Sequence, residues 1–282
     1  MGKLIDCKQI AANIKFKIAE RLEGKKPPTL SIIQVGDNPA SNTYVRNKLK
    51  ACEEVGINGI LHKYAETITE DELIMSIIDV ASDNTVDGMI VQLPLPPHID
   101  TNRMLHFVSQ GKDVDCFNEE DMGKLLLGKS SYAPCTATAI VKILESLHPR
   151  FSYEGLNAVV IGRSNIVGKP ISVLLQQMNM NVTMLHSKTS KEDLSWYCRN
   201  ADVIVVATGH PNTITEAELF NSCPIIIDVG INRDDNGKLC GDVSEEVKQK
   251  CSSYYTSVPG GVGPCTVACV LYNTLQKYLA KN

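Results

Sequence analysis

The chain has 282 residues, with 28 Lys+Arg against 32 Asp+Glu and a net charge of −4; 43% of residues are hydrophobic and 21% charged, which argues against a disordered chain or a coiled coil. That length predicts about two domains and a substantial core, and the slightly negative balance disfavours a bulk binder of nucleic acid or anionic lipid. Residues 1–20 carry charges every few positions with no apolar h-region, and no apolar run approaches the ~20 residues of a membrane span, so neither a signal peptide nor a transmembrane helix is expected.

Thr29–Val35 is an apolar run of strand length, as for a strand buried on both faces. Asn38-Pro39 sets an N-cap residue before Pro at the first helical position, and that helix is predicted to run to about Val55 and stop at Gly56. A strand over 60–64 leads into Thr69-Glu70-Asp71-Glu72, the spacing of a capping box. A third buried strand, 88–93, ends at Pro94-Leu95-Pro96-Pro97, which cannot continue a ladder. The loop-rich stretch 111–131 is followed by a helix over 136–147. A second series then alternates strand Asn157–Ile161, helix 168–178, strand 181–185, helix 191–200, strands 202–207 and 225–229, and a last helix over 267–279. Strands separated by helical patterns imply parallel sheets. No internal repeat or long linker is evident, so the expectation is two α/β domains joined near 135–150.

In the second series, Gly162-Arg163-Ser164-Asn165-Ile166-Val167-Gly168-Lys169-Pro170 joins a strand to a helix start, where backbone N–H groups and the helix dipole favour an anion. The spacing meets only half of the G-x-G-x-x-G fingerprint, and two glycines shaping a turn are the plain alternative. NAD-preferring domains place an acid about 20 residues on, at the end of the second strand. Here that strand ends in His186-Ser187-Lys188-Thr189, without an acid. A carboxylate there would repel a 2′-phosphate, whereas Ser187, Lys188 and Arg163 can bind one, so NADP is favoured over NAD; a solvated loop is the competing reading of His186 and Lys188. The strands ending at Thr208-Gly209-His210-Pro211 and Asp228-Val229-Gly230-Ile231-Asn232 break beside the same expected crevice.

In the first series, Tyr44 and Lys48 share a helix face. Spacing alone favours an exposed Lys beside a partly buried Tyr. Gln92, polar within an apolar strand, needs a partner, and a Lys crossing the C-terminal edge of the sheet supplies one. Lys112-Asp113-Val114-Asp115 then puts two acids in a small-residue loop, and a carboxylate suits the adjacent N–H donors of an amino-pyrimidinone ring.

Ser41-x-x-Tyr44-x-x-x-Lys48, Val91-Gln92-Leu93-Pro94-Leu95-Pro96, Lys112-Asp113-Val114-Asp115, Gly162-Arg163-Ser164-x-x-Val167-Gly168-x-Pro170 and Pro259-Gly260-Gly261-Val262-Gly263-Pro264-x-Thr266 together resemble the bifunctional methylenetetrahydrofolate dehydrogenase/methenyltetrahydrofolate cyclohydrolase family, from about residue 4 to residue 279. The resemblance implies NADP-dependent oxidation of 5,10-methylenetetrahydrofolate and hydrolysis of the methenyl cation to 10-formyltetrahydrofolate. It implies Lys48 as the catalytic lysine, Gln92 as its partner, Asp115 as the pterin anchor and Tyr44 stacked on the aminobenzoate ring, with Leu93, Gly260, Gly261 and Pro264 beside the folate. For NADP it implies Gly162, Arg163, Ser164, Val167, Ser187, Thr208, Gly209, Ile231 and Thr266. A metal is not expected. It further implies an N-terminal α/β catalytic domain of residues 1–138 and 265–282, a Rossmann-like NADP-binding domain of 139–264, a C-terminal helix returning to the first domain, and a cytoplasmic homodimer.

The chain departs from the family at Cys116, where Gly is usual and a left-handed backbone would strain Cys. It departs again at Pro134-Cys135-Thr136-Ala137-Thr138-Ala139, which lacks a Pro and a Gly, and at Cys265, where Met is usual. Its ten cysteines include no C-x-x-C pair and are expected to be reduced, mostly core, with Cys116, Cys135 and Cys265 beside ligand motifs. The competing functions are an NAD-dependent or dehydrogenase-only relative and a non-catalytic NADP-binding sensor; the sensor would not require Tyr44, Lys48, Gln92 and Asp115 to coexist.

Overall fold

The computed structural model describes residues 2–108, 111–147, 152–234 and 236–281. In chain order the elements begin with β1 (Lys3–Leu4), α1 (Cys7–Leu22), β2 (Thr29–Val35), α2 (Pro39–Val55), β3 (Asn58–Tyr64), α3 (Glu70–Ser82) and β4 (Gly88–Val91). Then come α4 (Thr101–His106), α5 (Glu119–Leu126), α6 (Cys135–Glu145), β5 (Asn157–Ile161), α7 (Gly168–Gln177), β6 (Asn181–Leu185), α8 (Lys191–Arg199), β7 (Val203–Val206) and β8 (Ile225–Asp228). The last are β9 (Asn232–Arg233), β10 (Leu239–Cys240), α9 (Glu245–Cys251), β11 (Tyr254–Tyr255) and α10 (Val262–Lys281). The chain divides into a first unit, Ala12–Cys135 with Val267–Asn282, and a second, Met1–Ala11 with Thr136–Thr266.

The first unit is built on a three-stranded parallel sheet in the order β3-β2-β4. β2 lies in the middle and every residue of it is buried. Its Ile33 and Val35 pack with Leu73, Ile77 and Val80 of α3 and with Met89 and Val91 of β4. α2 starts where Asn38 accepts from Ala40 N and Ser41 N and ends at Gly56, whose φ of 81° lets its N–H turn back onto the last carbonyls. α3 starts on the expected Thr69–Glu72 capping box. Past β4, Met89 N donates to Lys112 O (2.7 Å) and Val114 N to Met89 O (3.3 Å), so the Lys112–Asp115 motif begins as a further rung beside that strand.

The second unit holds a six-stranded sheet in the order β1-β11-β8-β7-β5-β6, parallel throughout. From β5 the chain moves to one side (β6) and then to the other (β7), so β5 and β7 flank the switch point at which open α/β sheets bind ligands. Val159, Ile161, Ile204, Val206 and Ile226 form its core with Leu185, Cys198 and Val247.

Several expectations shift. Residues 1–11, assigned by sequence to the first domain, belong with the second unit because Lys3 and Leu4 pair with Tyr254 and Tyr255, and a two-residue strand carries no periodicity to announce it. The chain therefore passes between units in α1, α6 and α10. The loop-rich stretch contains α5, whose Asn118 cap and acidic first turn are ordinary start signals on a helix too short to show a period. α10 begins at Val262, five residues before the predicted start; Pro264 sits in its first turn, where no intrahelical N–H is needed. No helix among the described residues is long and apolar enough to cross a membrane.

Candidate functional site

Lys48 lies on the face of α2 that carries Ser41, Val45, Ala51, Cys52 and Val55, all buried, and is itself only 6% exposed. The spacing-based reading of an exposed Lys is therefore corrected. Its Nζ donates to Gln92 Oε1 at 3.0 Å, while Gln92 Nε2 donates to Leu93 O at 2.7 Å and Gln92 N to Ile33 O at 2.8 Å. Gln92 is thus fixed at both ends, with the ladder bond holding its backbone although the strand proper stops at Val91. No carboxylate lies within 4.0 Å of Lys48 among the described residues. An ammonium offers three N–H donors and one is used here, so the others are available to water or a ligand. Tyr44, one turn earlier, is half-buried, and burial pushes its phenol above the usual range.

The structure separates the two acids of the loop. Asp113, 3% exposed, accepts through Oδ1 from Asp115 N (3.1 Å) and Cys116 N (2.9 Å), and through Oδ2 from Phe117 N (2.8 Å), Asn118 N (2.9 Å) and Asn118 Nδ2 (2.9 Å). Burial pushes its carboxyl up to about 6 against the pull of those donors. Asp113 is consumed in holding the loop. The half-exposed Asp115 has no protein donor on its carboxylate among the described residues, which leaves it to a ligand. Cys116 takes φ 56°, the left-handed backbone expected where the family has Gly. Asn273 of α10, fully buried and missed from sequence, donates to Val114 O at 2.8 Å and Ala133 O at 3.2 Å, while Cys135 Sγ also donates to Val114 O. The carbonyl preceding Asp115 is thereby pinned from two sides.

In the second unit the loops after four adjacent strands leave one sheet edge, as Gly162 N donates to Leu185 O (2.9 Å), Ala207 N to Ile161 O (2.8 Å) and Val229 N to Val206 O (2.9 Å). This brings together the expected positions Gly162, Arg163, Ser164 and Val167 after β5, Ser187 after β6, Thr208 and Gly209 after β7, and Ile231 after β8. Gly162 has φ 129°, and a Cβ on it would stand 2.3 Å from Ala207 O. The β5 and β7 loops approach that closely at the switch point, which explains the glycine more specifically than a generic turn does. Ser164 Oγ accepts from Val167 N (3.2 Å) and Gly168 N (3.4 Å), so the hydroxyl caps α7 as well as facing solvent. Arg163, Ser187 and Lys188 are exposed, and the 186–189 turn is held by His186 N to Thr189 Oγ1 (3.0 Å) and Lys188 N to His186 Nδ1 (3.2 Å). With no acid at the end of β6, these residues fit a nucleotide carrying a 2′-phosphate.

The glycine–proline block also lies in this unit. Gly260 has φ 93°, and a Cβ on Gly261 would stand 2.3 Å from Ser257 O, so Gly261 is dictated by the turn itself rather than by ligand approach alone. Thr266 Oγ1 donates to Val262 O within α10. Cys116, Cys135 and Cys265, placed by sequence beside ligand motifs, are buried and fill the core behind them.

Residues 5–115 match the family model of the tetrahydrofolate dehydrogenase/cyclohydrolase catalytic domain, and residues 134–282 that of the NAD(P)-binding domain of the same family. The bifunctional protein FolD of Janthinobacterium sp. (strain Marseille) is 46% identical over 275 residues, 98% of this chain and 95% of the relative. The crystal structure of FolD, methylenetetrahydrofolate dehydrogenase/cyclohydrolase, from Campylobacter jejuni superposes with a TM-score of 0.93 at 42% identity, covering 100% of both chains. The Trypanosoma brucei methylenetetrahydrofolate dehydrogenase-cyclohydrolase, complexed with NADP cofactor and an inhibitor, gives a TM-score of 0.93 at 32% identity over 99% of this chain and 98% of its own.

Proposed function

The chain belongs to the tetrahydrofolate dehydrogenase/cyclohydrolase family, and from that premise we propose how its own residues serve the two reactions. It is a bifunctional enzyme: it oxidises 5,10-methylenetetrahydrofolate to the 5,10-methenyl cation with NADP and hydrolyses the cation to 10-formyltetrahydrofolate. Bound NADP supplies the hydride acceptor. Arg163 and Ser187 bind its 2′-phosphate, Ser164 and the start of α7 a phosphate oxygen, and the loops at Gly162, Val167, Thr208, Gly209, Ile231 and Thr266 its body.

On the folate side, Asp115 accepts from the adjacent N–H donors of the pterin, Tyr44 stacks on the aminobenzoate ring, and Leu93 lines its path. Hydride loss leaves a resonance-stabilised cation, so the oxidation needs alignment rather than a protein base. Hydrolysis needs proton transfer. Lys48 Nζ takes the proton of a water as the oxygen bonds to the methenyl carbon. It returns that proton to the ring nitrogen as the carbon–nitrogen bond breaks, and the carbinol proton is released as the formyl carbonyl forms. Gln92 aims Nζ.

One observation carries this assignment: a buried lysine whose Nζ, among the described residues, meets only a neutral amide oxygen, at 3.0 Å. A buried ammonium without a counter-ion is costly to maintain, which points to a chemical role. Ten cysteines with no C-x-x-C pair fit a reducing compartment, and a cytoplasmic homodimer is proposed with it, to be checked by fractionation and sedimentation equilibrium. The activity assay follows methenyl absorbance from methylenetetrahydrofolate with NADP and, separately, with NAD. Faster turnover with NAD would refute the 2′-phosphate assignment, and no product with either nucleotide would refute the enzyme reading.

A further inference from the structure

Behind the β7 and β8 loops of the second unit lies a buried chain of charged groups that the reaction does not use. Lys248, fully buried on α9, donates to Asp228 Oδ2 at 3.1 Å and to Thr256 O at 3.2 Å, and pairs with Glu245 at 2.7 Å. The Asp228 carboxylate also accepts from Gly230 N (3.1 Å), Asp242 N (3.0 Å) and Val243 N (3.1 Å). It therefore fixes the backbone on both sides of Asp242. Asp242, 0% exposed, turns its own carboxylate toward the opposite loops. Its Oδ2 accepts from Thr208 N (2.6 Å), Thr208 Oγ1 (2.9 Å) and Gly209 N (3.1 Å), and its Oδ1 from Asn232 Nδ2 (2.8 Å).

The fit leaves no slack. A Cβ on Gly230 would stand 2.0 Å from Asp242 Oδ1, and one on Gly241 would stand 1.9 Å from Asp228 Oδ2. Both glycines are thus explained by the carboxylate they abut. One carboxylate joins the loop after β7 to the loop after β8, and the residues it holds, Thr208, Gly209 and Asn232, include or adjoin those assigned to NADP.

We propose that Asp242 is a positioning residue for the dinucleotide: it sets the Thr208–Gly209 and Ile231–Asn232 loops in the geometry that receives NADP, without touching the reacting atoms. This rests on the functional reading above. Its main requirement is a hydrogen-bond polarity rather than a charge. An amide at 242 can still accept from Thr208 and Gly209, but its NH2 then faces the NH2 of Asn232; an acid at 232 restores a donor facing an acceptor.

Three variants test this: Asp242→Asn, Asn232→Asp, which opposes two carboxylates, and the double exchange. Each is measured for the NADP-dependent oxidation and for hydrolysis of methenyltetrahydrofolate without nucleotide. Each single variant is expected to raise the KM for NADP about tenfold, the scale of a buried polar group left mispaired. Cyclohydrolase kcat/KM is expected to stay within about twofold, and the double exchange to bring the NADP KM back to within about threefold of the unmodified enzyme. An unchanged NADP KM in both single variants overturns the proposal, as do additive losses in the double variant and a parallel fall of both activities in all three. If Asp242→Asn fails to fold, Asn232→Asp and the double variant still decide it. Failure of the underlying functional reading is distinguishable, because the unmodified protein would then lack the activities themselves.

Discussion

Replacing Lys48 with Met removes the ammonium while keeping the length and nearly the volume of a side chain that is only 6% exposed. Among the described residues the lysine has no ion-pair partner, so its removal lifts the desolvation cost of a buried charge, a matter of several kcal/mol at most. Against this, Gln92 Oε1 loses its donor at 3.0 Å. An orphaned acceptor costs about 1–3 kcal/mol when wholly buried, and Gln92 is only half-buried, so water offsets part of that. The two effects oppose, and the variant is expected to lose no more than about 1 kcal/mol of stability. The kinetic effect is much larger. Loss of the group that accepts and returns the proton is expected to lower cyclohydrolase kcat by about 10²- to 10⁴-fold, or about 3–5 kcal/mol of barrier. The oxidation needs no protein base and is expected to fall by about tenfold or less, through alignment. The assay is the decay of methenyltetrahydrofolate absorbance, with the NADP-dependent rise of the same chromophore measured on the same preparation and unfolding followed by circular dichroism. Retention of more than about a tenth of the cyclohydrolase turnover in a folded variant would remove Lys48 from proton transfer.

Ser187→Asp, a change on an exposed turn, is expected to raise the KM for NADP about tenfold or more while leaving NAD and cyclohydrolase turnover little affected, since the new carboxylate faces a 2′-phosphate; comparison of the two nucleotides checks it. Cys116→Val places a β-branched side chain at φ 56° and is expected to cost about 1–2 kcal/mol. Cys116→Gly is expected to stay within about 1 kcal/mol of the unmodified protein because relief of strain offsets the lost packing, and chemical denaturation of both distinguishes them. Asp113 has a folded pKa of about 6 against 3.8 in the unfolded chain, so the native state holds its proton more tightly. The stability this contributes is present below the unfolded value and lost as pH rises through about 6. The stability of Asp113→Asn relative to the unmodified protein is therefore expected to improve by up to about 3 kcal/mol between pH 4 and 7; a difference that is flat or falls over that range refutes the shift.

Much of the fold was legible in the chain because its signals are local. Asn38 and Thr69 cap the helices they announce, Gly56 ends one, and runs bounded by turn residues mark β2 to β8. β1 was not legible, since pairing of Lys3–Leu4 with Tyr254–Tyr255 joins opposite ends of the chain and leaves no local trace. The candidate site divides the same way. Gln92's need for a partner, the Gly162 turn and the acid-free end of β6 can be read from residue type and spacing, because a strand end fixes what shares an edge; the roles of Tyr44 and Lys48 come only with the family resemblance.

By itself, then, the sequence determined the α/β class from short-range pattern, and its motifs carried the family resemblance through which the candidate reacting groups are named. It did not determine which acid of Lys112–Asp115 is structural, how deeply Lys48 is buried, or that Asp242 ties two loops together. Those depend on where N–H donors converge after the chain has folded. Asp113 is spent on its own loop by four backbone amides and a side-chain amide. Asp242 meets Thr208 from 34 residues away. Only tertiary closure brings such groups within hydrogen-bond reach, and only it excludes the water that would otherwise satisfy them.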